Sequence, residues 1–86
     1  MSDLVDGQRQ EDYGDPVENM GLVAAMWSGF ISTSRGRSII LDGQDAAIMM
    51  ALFKIARLTN KPKHKDSMDD FDGYIKIAKR CREASK

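Results

Sequence analysis

Residues 46–56 read Ala-Ala-Ile-Met-Met-Ala-Leu-Phe-Lys-Ile-Ala, an almost unbroken apolar run. Wound as a helix, Ala46, Ala47, Ile48, Met49, Met50, Ala51, Leu52, Phe53, Ile55 and Ala56 cover nearly the whole circumference. Lys54 and Arg57, three positions apart, interrupt it on one face. A helix that is apolar all round is a buried helix. A chain of 86 residues has only a thin core with which to bury one. Two companion helices cannot easily cover this segment, so the expectation is a homo-oligomer in which another chain completes the cover. The alternative is a monomer whose loops do so.

Composition narrows the classes. With 42% hydrophobic and 30% charged residues the chain is a soluble globular one. Acids and bases balance at 13 each, which argues against a general nucleic-acid coat. A single cysteine excludes an internal disulfide framework and a four-cysteine zinc site. No apolar run has the length of a bilayer span, so no membrane partner is expected. The acidic start, MSDLVDGQRQEDYGDP, is not a signal peptide, and a reducing cytoplasm is the expected setting. The balance hides a gradient: the net charge is −5 over residues 1–30, +2 over 31–60 and +3 over 61–86. Such a dipolar surface suits an oriented partner or an anionic ligand, and equally two ends that attract each other.

The pattern predicts an all-α fold: one three-helix domain over residues 13–86 behind a flexible acidic arm, residues 1–12. Asp15 is a good N-cap, Pro16 suits the first helical position, and Glu18 can close a capping box. The first helix carries an apolar stripe of Val17, Met20, Val23 or Ala24, Trp27, and Phe30 or Ile31, and Gly29 is expected near its end. Residues 32–38 read as a polar loop. Ile39-Ile40-Leu41 is a short apolar staple without a strand partner. Asp42 caps a second helix, from about Gly43 to Leu58, with Asp45 favourably placed in its first turn. After the basic connector 59–65, a third helix begins at Asp66 or Ser67, with Ser67 to Asp70 matching a capping box. Gly73 interrupts its interior, as suits a close approach by a helix or ligand. Its tail from Lys79 is expected to fray.

Three groups of residues could carry chemistry. Lys54 and Arg57 form a cationic spot on an apolar helix and need anions, either internal (Asp15, Glu18 or Asp70) or an incoming phosphate or carboxylate. Lys61, Lys63, His64 and Lys65 precede a helix start, a common phosphate cradle, but Asp66 and Ser67 compete for its free N–H groups, so a phosphate would sit against the lysines or reach the aspartates only through a metal. Asp66 and Asp70 share a helical face and could hold a hard divalent cation, although acids in a first turn also serve the helix dipole alone. Tyr13, Trp27 and Tyr74 offer aromatic faces for a base, with core packing favoured for Trp27. Neither a phosphate-binding P-loop nor a Gly-x-Gly-x-x-Gly turn is present, and nothing activates Cys81.

The run Arg9…Tyr13-Gly14-Asp15-Pro16…Asn19, then Lys54-Ile55-Ala56-Arg57-Leu58, then Lys63-His64-Lys65-Asp66-Ser67…Asp70…Gly73-Tyr74 resembles a family of small phage-encoded helical proteins of unknown function. The resemblance covers roughly residues 9–78. It marks Arg9, Tyr13, Asn19, Lys54, Arg57, His64, Asp66, Asp70 and Tyr74, which suggests one shared pocket, and it implies a phage origin and a host-cytoplasm location. A more distant similarity is to all-helical nucleotide pyrophosphohydrolases of the MazG and dimeric dUTPase type, which hold magnesium with paired acids on two helices. Asp15-x-x-Glu18 and Asp66-x-x-Asp69 echo that spacing, but the central helix has no acid after Asp45.

The leading expectation is therefore a non-catalytic oligomeric protein without a cofactor that binds a small anion, a nucleotide above all. Lys54, Arg57, Lys61, Lys63 and His64 meet phosphate and Tyr13 or Tyr74 stacks on the base. By analogy alone, the ligand of such a phage protein could be a host defence signal. One alternative is a magnesium-dependent hydrolase using Asp66 and Asp70, with or without Glu18. Another is a module that binds a host protein.

Overall fold

The computed structural model describes residues 14–84. Three helices, α1 (Pro16–Arg35), α2 (Gly43–Asn60) and α3 (Lys65–Ala84), make up an all-α fold with no strand among the described residues. The acidic arm, residues 1–12 with Arg9, lies outside them, and so does Tyr13.

The first two helix starts follow from their caps. Asp15 accepts the Glu18 N–H at 3.3 Å, with Pro16 opening α1. At α2 the box is reciprocal: Asp42 Oδ1 accepts the Asp45 N–H at 2.8 Å, and Asp45 Oδ2 accepts the Asp42 N–H at 3.1 Å. Each satisfies donors that a helix start would leave free. The third start corrects the expectation. α3 begins at Lys65, and the residue that caps it is His64, whose Nδ1 accepts the Ser67 N–H at 3.1 Å. An imidazole nitrogen does here what an aspartate does at α1 and α2. Nor does α3 fray at Lys79: it runs to Ala84 because Cys81 is buried against the other helices.

α1 also runs past Gly29, and residues 32–35 are its last turn rather than loop. It stops at Gly36, whose positive φ of 69° turns the chain so that the Gly36 and Arg37 N–H groups both donate to the Ser32 carbonyl, at 2.9 and 3.2 Å. Glycine reaches this left-handed conformation without steric cost. The chain then doubles back along α1 as the extended segment 39–41. Ser32 Oγ accepts the Ile39 N–H at 2.9 Å and donates to the Ile39 carbonyl at 3.0 Å. Ser28 Oγ accepts the Leu41 N–H at 2.8 Å while donating to Ala24 O at 2.6 Å. Four helical residues rise about 6.0 Å and two extended residues about 6.6 Å. Serines four apart on a helix therefore match alternate residues of an extended chain. This is how the staple stays extended without a strand partner, and why Ile40 points outward.

α2 and α3 form an antiparallel hairpin. Lys54 meets Asp70, and Gly43 lies against Cys81; both pairs are equidistant from Pro62 in the connector. α1 closes the open end of the hairpin, where a Cβ on Gly43 would stand 3.3 Å from both Gly21 N and Cys81 Sγ. There Arg80 donates to Asp15 Oδ1 at 3.3 Å. The buried apolar cluster is Met20, Ala24, Ala46, Ala47, Ala51, Tyr74, Ile77, Ala78 and Cys81. Alanine dominates it, so helices approach closely and little large apolar area is buried. Among the described residues, α2 is covered on one face only: Ile48, Leu52, Phe53 and Ile55 are exposed.

Replacing Ser28 or Ser32 with alanine strands partly buried backbone groups of the linker. Each change is expected to cost about 1–2 kcal/mol in urea unfolding. An unchanged midpoint in the double variant would show that the linker is not held this way.

Candidate anion-binding site at the hairpin turn

The hairpin brings the last turns of α2 beside the first turns of α3. Lys54, Arg57 and Lys61 recur at helical spacing up to the turn, and His64, Ser67 and Asp70 recur at three-residue steps beyond it. Arg57, Asn60, Lys61, His64 and Ser67 line one cleft of about 230 Å³. Lys61 and His64 also line a second, more open cleft of about 500 Å³ with Pro62 and Lys63. No carboxylate lines either. Among the described residues Arg57, Lys61 and Lys63 have no ion-pair partner, which leaves three cations around the turn.

His64 is held rather than free. Its Nδ1 accepts the Ser67 N–H, and the Ser67 hydroxyl lies 2.7 Å from the same nitrogen. With Nδ1 committed as acceptor, this hydrogen-bond network assigns the proton of the neutral ring to Nε2, as a donor. Arg57 is oriented by Phe53, one turn earlier, whose ring centroid lies 6.0 Å from Cζ; Lys54 Nζ lies 5.6 Å from the same centroid. A cation over an aromatic face gains modest electrostatic attraction while its other donors stay available. Asn60, Phe53 and Ser67 were absent from the sequence-based set. Their one signal is position: one helical turn from Arg57 or from His64.

Lys54 has the internal partner that was one of its two expected outcomes. Its Nζ lies 3.0 Å from Asp70 Oδ2, with the two side chains 13% and 10% exposed. Asp70 Oδ1 is buried with no hydrogen-bond partner among the described residues. The pair is thus a half-satisfied buried salt bridge, which fixes hairpin register more than it adds stability.

The other acids that open α3 are dispersed. Asp69 accepts from Lys65 at 2.8 Å and holds that ammonium above its ordinary range, and Asp72 pairs with Lys76 at 3.1 Å. Asp66 is exposed. Among the described residues no group of three or more His, Cys, Asp or Glu could hold a metal ion. Asp15 and Glu18 lie at the far end of the hairpin, where Asp15 meets Arg80. Asn19, exposed in the first turn of α1, is at that end too. Tyr74 corrects another expectation: 9% exposed and packed in the core, it offers no open face to a base. Cys81 is buried, and burial, reinforced by Asp42 and Asp15, pushes its thiol above the ordinary range.

Two measurements follow. Lys54→Ala strands a buried carboxylate and is expected to cost about 3–5 kcal/mol, most of it recovered when Lys54→Met is combined with Asp70→Leu. Equal loss in single and double variants would contradict the pairing. For Cys81 the native state keeps its proton to higher pH than the unfolded chain. Its contribution to stability is therefore full below the unfolded value near 9.0 and is lost as pH rises through the raised folded value. Cys81→Ala should flatten that alkaline decline in urea midpoints.

Residues 1–82 match the family described as Domain of unknown function (DUF6378). The chain is 33% identical over 80 residues to the Gene 55 protein of Mycobacterium phage L5, covering 93% of this chain and 48% of that protein. To the Gene 55 protein of Mycobacterium phage D29 it is 34% identical over 80 residues, with 93% and 49% covered. The chain thus spans about half the length of the curated relatives it matches. No solved structure matches it. No helix among the described residues is long and apolar enough to cross a membrane.

Proposed function

The chain belongs to the DUF6378 family, phage-encoded and of unknown function, and for it we propose a non-catalytic role as an oligomeric protein that binds a small phosphate-bearing ligand at the hairpin turn. One observation carries this reading: Arg57, Lys61 and His64 converge on a cleft that no carboxylate lines. Arg57 supplies a planar fork suited to two phosphate oxygens, Lys61 a mobile point charge, and His64 a fixed Nε2–H donor.

The size of the site favours a nucleotide over a bare anion. The cleft of about 230 Å³ suits the phosphates, and the adjoining one of about 500 Å³ suits the rest of the ligand. Pro62, not Tyr74, is then the apolar surface beneath the base. Lys54 and Asp70 sit behind the cleft as positioning residues. A binder without turnover acts by lowering the free concentration of its ligand, the role a phage would need against a nucleotide signal of its host.

Titration of the protein with inorganic pyrophosphate and with ADP, followed by amide NMR, tests this. The largest shifts are expected from residues 57 to 67, with affinity that falls as salt rises. Arg57→Ala with Lys61→Ala is expected to weaken binding at least tenfold with helicity unchanged. Equal affinity in the folded double variant would overturn the reading.

A further inference from the structure

His64 is the one histidine of the chain, and histidine is the side chain whose ordinary charge change falls between pH 5 and 8. Its Nδ1 accepts the Ser67 N–H at 3.1 Å and so caps α3, while the Ser67 hydroxyl stands 2.7 Å from the same nitrogen. Ser67 is 1% exposed, so water does not readily replace either contact. The same ring lines both clefts of the hairpin turn. One imidazole therefore serves the helix start through one nitrogen and faces the anion site with the rest of its ring.

We propose that the anion site is proton-linked through His64: an arriving anion draws a proton onto the ring, and that proton undoes the cap of α3. This regulation rests on the site proposed above. The neutral ring offers a lone pair at Nδ1 to the Ser67 N–H and a proton at Nε2 to the ligand. The charged ring carries a proton on both nitrogens, and its Nδ1 accepts nothing. The Ser67 hydroxyl lets the ring change state in place. It donates to the neutral Nδ1, and by rotating its own proton away it accepts from the Nδ1–H of the imidazolium. Only the bond from the Ser67 N–H is given up. The step moves one proton from solvent to Nδ1, and no other covalent bond forms or breaks. At Nε2 the gain is a positive charge against the ligand, and hydrogen bonds between ionised partners are the stronger ones.

The surrounding charges make the anion the trigger. Arg57 and Lys61 reach the clefts from α2 and Lys63 from the connector, and Lys65 and Asp66 open α3 beside the ring. Lys65 is engaged by Asp69, and Lys54 by Asp70. Among the described residues α1 lines neither cleft. Arg57, Lys61, Lys63 and Lys65 oppose a further positive charge, and Asp66 favours it. An anion seated among the cations shifts that balance toward the imidazolium.

Calorimetric titration of the full chain with inorganic sulfate, which carries the same charge at about pH 7.5 and about pH 5.5, is the test. The wild-type protein is expected to bind sulfate roughly threefold or more tighter at the lower pH, and to take up protons as it binds at the higher. The Ser67 amide resonance should move as sulfate is added. His64→Asn keeps an N-cap oxygen and has no group at this position that titrates in the range, so its affinity should be the same at both pH values. If circular dichroism shows that this variant has lost its helices, nitrogen NMR of the wild-type imidazole decides: Nε2 alone is to be protonated without sulfate at the higher pH, and both nitrogens with it. Sulfate that binds through Arg57 and Lys61 without proton uptake or pH dependence overturns the link and leaves the site standing. Equal pH dependence in the wild type and in folded His64→Asn does the same. Absence of sulfate binding at either pH, or binding indifferent to Arg57→Ala with Lys61→Ala, overturns the site and the link together.

Discussion

Ala46, Ala47 and Ala51 lie where α1 and α3 press on α2, and their small side chains set how closely three helices meet. Close approach brings backbone against backbone, as at Gly43, Gly21 and Cys81. It also leaves little volume between the helices for anything larger. Met20, Tyr74 and Ile77 fill what remains. The larger apolar side chains of α1 and α2 are then displaced outward, because burial inside would force the helices apart. A thin core and a greasy exterior are two consequences of one contact.

That contact also dictates how the hairpin is locked. Apolar packing among alanines is a weak guide to register, since one small residue resembles another. The Lys54–Asp70 pair supplies the missing discrimination, because a slip of one residue would strand both charges in a low-dielectric seam. With register set, the turn is set as well. His64 caps α3 through a contact three residues along the chain, and the cap holds the imidazole at the edge of the cleft. The cationic cleft is therefore built by the same elements that close the hairpin. Its free donors are those that the fold does not consume: the Arg57 fork, the Lys61 ammonium and the Nε2–H of His64.

The exterior bears on the length of the relatives. The chain spans about half of the two phage proteins it matches. A domain with this much exposed apolar surface gains from a covering partner.

Much of the architecture was legible in local chemistry. Asp15-Pro16 and Asp42 with Asp45 announce helix starts because capping is a contact within four residues, and the all-α class follows from apolar spacing over single helices. The misreadings have the same locality. Gly29 looked like a helix end, yet Gly36 is the residue at positive φ; the sequence marks both as glycine, and only the path of the linker over Ser28 and Ser32 tells them apart. Ser67 looked like the cap of α3, yet a histidine takes that role, because the free N–H of Ser67 faces the His64 ring. For the site, Lys54, Arg57, Lys61 and His64 were visible as cations near a turn. Which of them is spent on an internal carboxylate, and which faces the cleft, depends on the rotation of α2 against α3. By itself the sequence determined the helices, their caps and the cationic character of the turn, all set by neighbours along the chain. Only the tertiary structure decided that Asp70 takes Lys54, that Tyr74 belongs to the core and that Leu22, Met26 and Phe30 face outward, because those outcomes depend on which helical faces meet.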